Sequence, residues 1–144
     1  MQRKHHLTGL ICSLVFVHGC SSDKTENWQR LPGSPEEPAS VDTQSIQRDG
    51  KMVTMNVRIN FTTESPTNKK IGEAGKPLLK EVNAKYRYDC EARTVELLKA
   101  VEQFLPVGGK FGPDPVETEF PPNAAPVQPN SSAEDAFNIA CKAG

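Results

Sequence analysis

Histidine is absent from most of this chain of 144 residues. The three histidines, His5, His6 and His18, all lie near the amino terminus, and none follows residue 18. Imidazole is the commonest general base in enzymes and a frequent zinc ligand. Its absence excludes Ser-His-Asp sites, Cys-His sites and histidine-ligated metals from the rest of the chain.

The sequence also lacks an excess of positive charge and a second long apolar run. It has 17 Lys and Arg against 18 Asp and Glu, a formal net charge of −1. No basic stripe indicates a nucleic-acid partner. No apolar run after Cys20 approaches the ~20 residues that a membrane-spanning helix needs. We therefore expect no nucleic acid as a partner and no transmembrane helix.

The amino-terminal segment has the three regions of a secretory signal. Arg3 and Lys4 supply positive charge, residues 7–17 form an apolar run, and the small Gly19 precedes Cys20. The apolar run is too short for a stable membrane span, and an Ala-x-Ala-like cleavage site is missing. The sequence therefore predicts export with an unusual cleavage site.

Residues 17–20, "VHGC", resemble the lipobox of bacterial lipoproteins, with His18 where that family usually has a small or aliphatic residue. The resemblance implies a signal peptide over residues 1–19 and acylation of Cys20 with palmitate-type chains. Several acyl chains suffice for stable anchoring. Ser21 resembles the outer-membrane sorting signal of Gram-negative lipoproteins. A secreted protein with a free Cys20 is the alternative.

The four cysteines then have different roles. Cys12 lies in the predicted signal peptide and Cys20 at the lipid anchor, so Cys90 and Cys141 remain. In an oxidising compartment we expect these two to form a disulfide bond. Two unpaired, buried cysteines are the alternative.

The chain after Cys20 reads as a flexible tether over residues 20–27 and one domain over residues 28–144. Asp49-Gly50 predicts a hairpin turn, and two segments alternate between apolar and polar residues as half-buried antiparallel strands do. The apolar positions are Val53, Met55, Val57, Ile59 and Phe61 in one segment, and Val82, Ala84, Tyr86, Tyr88 and Cys90 in the other.

The remaining segments carry weaker signals. Residues 63–77 read as a polar loop, and helix propensity favours a helix over residues 94–105, although a strand also fits. Seven prolines over residues 106–129 exclude a regular helix and leave room only for short or edge strands. Ser131 and Glu134 form a capping box for a carboxy-terminal helix that carries Cys141 on its apolar face.

The order of these features resembles the surface-adhesin protein E family of Gram-negative bacteria. An early Trp28 is followed by "VDTQSI", "KYRYDCEARTVELL", "VGGKF" and "PNSSAEDAFNIAC". The resemblance implies an α+β fold: a small antiparallel meander sheet with a carboxy-terminal helix packed on it and fastened by the disulfide. It also implies that residues 94–104 form a strand, against helix propensity.

The resemblance further implies a non-catalytic, protein-binding adhesin. Its partners would be host matrix or plasma proteins such as vitronectin, laminin and plasminogen. The family's binding region is a basic stretch that corresponds here to Lys69, Lys70, Lys76, Lys80, Lys85 and Arg87. From this stretch we take Lys76, Lys80, Lys85 and Arg87 as candidate ligand-binding residues.

Other readings stay open. Because basic and acidic residues alternate here, a solvated, mixed-charge sheet face is the simpler explanation of the lysines. A periplasm-facing envelope lipoprotein with a structural or assembly role is the alternative function, and a homodimer is compatible with the sequence. Catalysis would have to rest on one of three carboxylate pairs, Glu36-Glu37, Glu117/Glu119 or Glu134-Asp135. We expect no enzyme, cofactor or metal.

Overall fold

The computed structural model describes residues 27–33, 35–106, 108 and 111–142. The predicted signal peptide, the lipidation site Cys20 and the tether up to residue 26 lie outside these residues. Within the described ranges, no helix combines the length and the apolar character needed to cross a bilayer.

An antiparallel sheet forms the body of the domain. Six strands follow one another in chain order as a meander, and a seventh short strand pairs with the fifth beside the sixth. The strands are β1 Trp28–Arg30, β2 Ala39–Asp49, β3 Met52–Asn60, β4 Leu79–Asp89, β5 Thr94–Phe104, β6 Val116–Glu119 and β7 Ala125–Pro126. This confirms the predicted meander.

The predicted hairpin and the two alternating strands are confirmed. β2 and β3 are joined at Gly50, whose φ of 57° lies in the left-handed region that glycine tolerates. Val53, Met55 and Val57 are buried on one side of β3, and Val53 faces Tyr88 across the β3–β4 pair. Alternate residues therefore fill the core, as the two-residue period predicted.

Residues 94–104 form a strand, as the family resemblance implied and against their helix propensity. β5 pairs along its length with β4, with Tyr88 opposite Val95 and Ala84 opposite Ala100. A helix here would leave the hydrogen-bonding edge of β4 without a partner, so tertiary pairing outweighs local preference.

The proline-rich segment contains only short strands, as predicted. β6 pairs with the second half of β5 and β7 with its first two residues. The exposed carboxylates of Glu117 and Glu119 lie on the edge strand β6. Charge on a short edge strand discourages pairing with other chains.

The prediction of a polar loop over residues 63–77 is wrong, because a helix, α1, spans Pro66–Glu73. The helix is stabilised by polar contacts rather than by an apolar stripe. The buried Asn68 donates to the carbonyls of Thr62 and Leu79, both at 2.8 Å, and accepts from the Leu79 amide. Since these polar partners lie outside the helix, 6 and 11 residues from Asn68, apolar periodicity gives no sign of this helix.

The carboxy-terminal helix, α2, spans Ser132–Lys142 and packs on β2, β3 and β4. Its buried side chains are Ala136, Phe137 and Ala140, and the ring of Phe137 meets Tyr88 edge-on at 6.1 Å. The predicted amphipathic helix and its apolar face are confirmed. Burial of this face contributes favourable free energy that holds the helix on the sheet.

The first turn of α2 is held in place by polar contacts. At the first turn, Glu134 accepts hydrogen bonds from the Asn130 amide and from Arg93, while the Glu134 amide donates to the Ser131 hydroxyl. The capping residues are those predicted, although the Glu134 carboxylate reaches the amide of Asn130 instead of Ser131. The Arg93 guanidinium also lies 4.8 Å from the centre of the Phe137 ring.

The last turn of α2 is joined to the sheet by the predicted disulfide between Cys90 and Cys141, with the two Cα atoms 5.6 Å apart. Cys90 lies one residue beyond β4 rather than within it, and both cysteines are half-buried rather than fully buried. The strand ends at Asp89 because the chain turns there, with two backbone amides donating to the Asp89 carboxylate.

Replacing both cysteines with serine is expected to destabilise the domain by about 2–5 kcal/mol, with about 4 expected from loop entropy. The bond closes a long loop, since 51 positions separate the two cysteines. Urea unfolding of the oxidised wild type and the double variant measures the difference. Equal midpoints and slopes would show that helix burial alone fastens α2.

The two tyrosines are expected to make the fold sensitive to alkaline pH. Burial raises the pKa of both, and Tyr86 raises that of Tyr88 further. A raised pKa stabilises the fold below the unfolded value of about 10, and this contribution is lost as pH rises above it. The chain has no other tyrosine. Tyrosinate absorbance should therefore rise at higher pH in the folded protein than in urea, together with loss of circular dichroism. Coincident titrations would contradict this.

Candidate functional site on the open face of the sheet

The side of the sheet opposite α2 presents a continuous polar surface, which we call the open face. Residues paired across an antiparallel sheet share a face, so a row can be followed from strand to strand. The central row contains Trp28, Asp42, Asn56, Lys85, Lys99 and Glu119. The neighbouring row contains Arg30, Ser40, Arg58, Asn83, Val101 and Glu117.

Ion pairs between neighbouring strands cover much of this face. Arg87 on β4 binds Glu96 on β5 through both Nε and Nη2. Lys99 Nζ lies 2.7 Å from Glu117 on β6. Opposite charges placed across a strand pair stabilise a sheet modestly and keep its surface hydrated. Arg87 thus takes part in a mixed-charge sheet face, which is the alternative given above for the basic residues of β4.

Trp28 forms one wall of this face together with Arg58. The Arg58 guanidinium lies 3.9 Å from the centre of the indole ring, and its Nε donates to Asn83 at 3.2 Å. Glu81 lies 3.5 Å from the same Nε and accepts from Asn83. The stacked guanidinium shields one side of the indole, and its hydrogen bonds hold it in place.

A cleft of about 320 Å³ opens beside this wall. Its described lining comprises Trp28, Asn56, Asn83, Ala84, Lys85, Lys99 and Val101. It is therefore bordered by an aromatic ring, two amides and two ammonium groups. A concave site with a few convergent polar groups is the usual form of a ligand-binding site.

The four candidate binding residues do not form one patch. Lys85 and Arg87 lie on the open face, whereas Lys80 lies at a bulge near the start of β4, about 17 Å along the strand from Lys85. Lys76 precedes β4 and borders a separate cleft of about 360 Å³ with Ile71 and Phe104. The structure thus brings together only two of the four.

Several residues of the cleft are not among those predicted from sequence. The sequence marks Trp28 only through the family resemblance, and its patterns give Asn56, Asn83 and Lys99 no role in a site. The signal available in the sequence is the chain's one tryptophan, flanked by polar residues, which the structure places on the three-residue strand β1. An aromatic residue on an edge strand suggests a contact surface.

The described residues offer little for catalysis or metal binding. None of their His, Cys, Asp and Glu side chains form a group that could hold a metal ion. Each predicted carboxylate pair has a structural contact: Glu37 accepts from the Thr67 amide at the start of α1, Glu117 pairs with Lys99, and Glu134 caps α2. None of these carboxylates belongs to the described lining of the cleft.

At the edge of the open face, Asp89 is an electrostatically stabilised carboxylate. Hydrogen bonds from the amides of Ala92 and Glu91, together with Lys51 at 3.3 Å, hold its pKa below the ordinary value. Asp89 likewise raises the pKa of Lys51. These groups fix the ends of two hairpins rather than forming a reactive site.

Together these features define a small α+β domain: an antiparallel meander with a disulfide-fastened carboxy-terminal helix on one face and a polar cleft on the other. Residues 28–142 match the family model described as surface-adhesin protein E. The chain therefore belongs to the surface-adhesin protein E family and is a surface adhesin-like protein.

Solved structures of Haemophilus influenzae protein E have the same fold. One, from crystal form II, is 15% identical, with a TM-score of 0.52 over 80% of this chain and 87% of that chain. Another, from a non-typeable strain, is 16% identical, with a TM-score of 0.50 over 84% and 79% of the two chains. No curated protein sequence matches the chain. At such low identity the likeness concerns the fold.

Proposed function

We propose that this protein is a lipid-anchored outer-membrane adhesin whose open face binds host matrix or plasma proteins. The observation that carries the proposal is the difference between the two faces of the sheet. One face is closed by α2, whereas the other presents a concave, polar surface with an aromatic wall. Family membership supports an adhesive role for that surface.

In this proposal the amino terminus supplies the attachment. Residues 1–19 direct export and are removed, Cys20 carries the acyl chains, and residues 20–27 form the tether before the domain of residues 28–144. A lipid anchor suits a chain whose described helices do not cross the bilayer.

The binding residues contribute unequally in this proposal. Lys85 is exposed, and its ammonium group has no carboxylate partner among the described residues, so it is available to a ligand. The charge of Arg87 is already partly neutralised by Glu96, so it contributes less to binding a ligand. Lys76 and Lys80 lie away from the cleft and act only through a partner large enough to extend beyond the open face.

Host-protein binding is expected to depend more on Lys85 than on Arg87. Lys85→Ala should weaken binding to vitronectin, laminin or plasminogen about five-fold, equivalent to about 1 kcal/mol. Arg87→Ala should weaken it less, because the wild-type side chain is already paired with Glu96. Solid-phase binding at physiological salt measures both, and Lys142→Ala on α2 is the matched control. The proposal fails if none of the three proteins binds saturably.

Membrane attachment is expected to require Cys20. Cys20→Ala should leave the protein uncut and without acyl chains, as mass spectrometry of the membrane fraction would show. Protease treatment of intact cells should degrade the wild-type domain if it faces outward. Protection until the outer membrane is broken would instead favour the periplasm-facing envelope role. Normal processing of Cys20→Ala would contradict the lipid anchor.

A further inference from the structure

The cleft beside Trp28 has an unusual electrostatic arrangement. Lys85 and Lys99 face each other directly across β4 and β5. Like charges in that position repel and destabilise a sheet. Lys99 is neutralised by Glu117 at 2.7 Å, but no carboxylate of the described residues lies within 4.0 Å of Lys85 Nζ. An anion accepted between the two ammonium groups would relieve this repulsion.

The surroundings of the cleft restrict that anion to one charge. The open face already carries carboxylates on four strands around the cleft: Asp42, Glu81, Glu96, Glu117 and Glu119. None of them belongs to the described lining of the cleft. A polyanion lying across the face would meet these groups and be repelled, whereas a single carboxylate at Lys85 would meet an ammonium group with which no described carboxylate pairs.

The other lining groups fit a ligand rich in hydroxyl groups. The Asn56 side chain is exposed and makes no hydrogen bond to a described residue, so its amide can both donate and accept. Asn83 uses its oxygen for Arg58 and donates to Glu81, which holds its amide group in a fixed orientation. The indole of Trp28 is the aromatic group of the lining, and the Arg58 guanidinium stacked on it helps to hold the ring beside the cleft.

We propose that this cleft binds a single carboxylated sugar residue at the end of a glycan chain. The carboxylate lies between Lys85 and Lys99, the hydroxyl groups meet Asn56 and Asn83, and the ring lies against Trp28. The volume of about 320 Å³ is at the lower end of ligand sites and suits one sugar unit. The inference rests on the proposed function, since it names a ligand class for the same face.

Fluorescence titration of the full-length protein in detergent tests this directly, because Trp28 is the one tryptophan of the chain. The probe is sialyllactose, which ends in a carboxylated sugar, and lactose is its neutral counterpart. Sialyllactose should change the emission saturably, and lactose should not. Lys85→Met, which keeps the apolar stem, should weaken the binding at least about five-fold, consistent with loss of one charged contact. Lys142→Met on α2, on the other side of the sheet, is the matched control and should have no effect.

Four outcomes would overturn the proposal: equal response to lactose, no loss with Lys85→Met, tighter binding of a heparin fragment, or binding of a glutamate-rich peptide but not of sialyllactose. Host-protein binding measured on the same preparation separates the two proposals. If host proteins bind and sialyllactose does not, only the sugar inference fails. If neither binds, both fail.

Discussion

The attachment of α2 to one face of the sheet is the interaction on which the rest of the structure depends. A single antiparallel sheet has two faces, and a domain of this size cannot bury both. Phe137 packs on Tyr88, Arg93 holds the first turn of the helix, and the disulfide from Cys90 holds its last turn. Because these contacts bury one face of the sheet, polar residues can occupy the other. The stability of the domain and the availability of its open face thus have the same origin.

On the polar face most charged side chains are paired with one another, but one ammonium group is left available to a ligand. Arg87 and Lys99 have carboxylate partners on neighbouring strands, so their charges are largely satisfied within the domain. Lys85 lies opposite Asn56 on β3 and Lys99 on β5, and no carboxylate of the described residues pairs with it. Exposed ion pairs add little to stability. Their greater effect here is that the paired cations are less available to a ligand than the unpaired one. The arrangement leaves Lys85 as the position at which a negatively charged group gains most.

Sequence reasoning recovered those parts of the fold that depend on local pattern. The alternation around Val53 and Tyr88, the glycine turn and the pairing of the two remaining cysteines all leave a direct trace in the sequence. The helix α1 leaves none, because Asn68 stabilises it through polar bonds to backbone groups outside the helix. The cleft was missed for a related reason. An extra residue, Leu98, opposes the step between Lys85 and Tyr86, so the alternation of β5 reverses and Lys99 moves to the open face. A fixed two-residue period cannot show that reversal.

The proposed anchor sets a geometric limit on what the open face can reach. Trp28 begins β1 directly after the proposed tether of residues 20–27. Eight extended residues span at most about 28 Å, so the wall of the cleft would lie near the bacterial surface rather than at the far end of a stalk. A site held this close to the surface is reached more easily by a slender chain end than by a large rigid body. Within the proposed function, the position of the cleft therefore favours a ligand presented on a slender, mobile segment, which is how the last residue of a glycan is displayed.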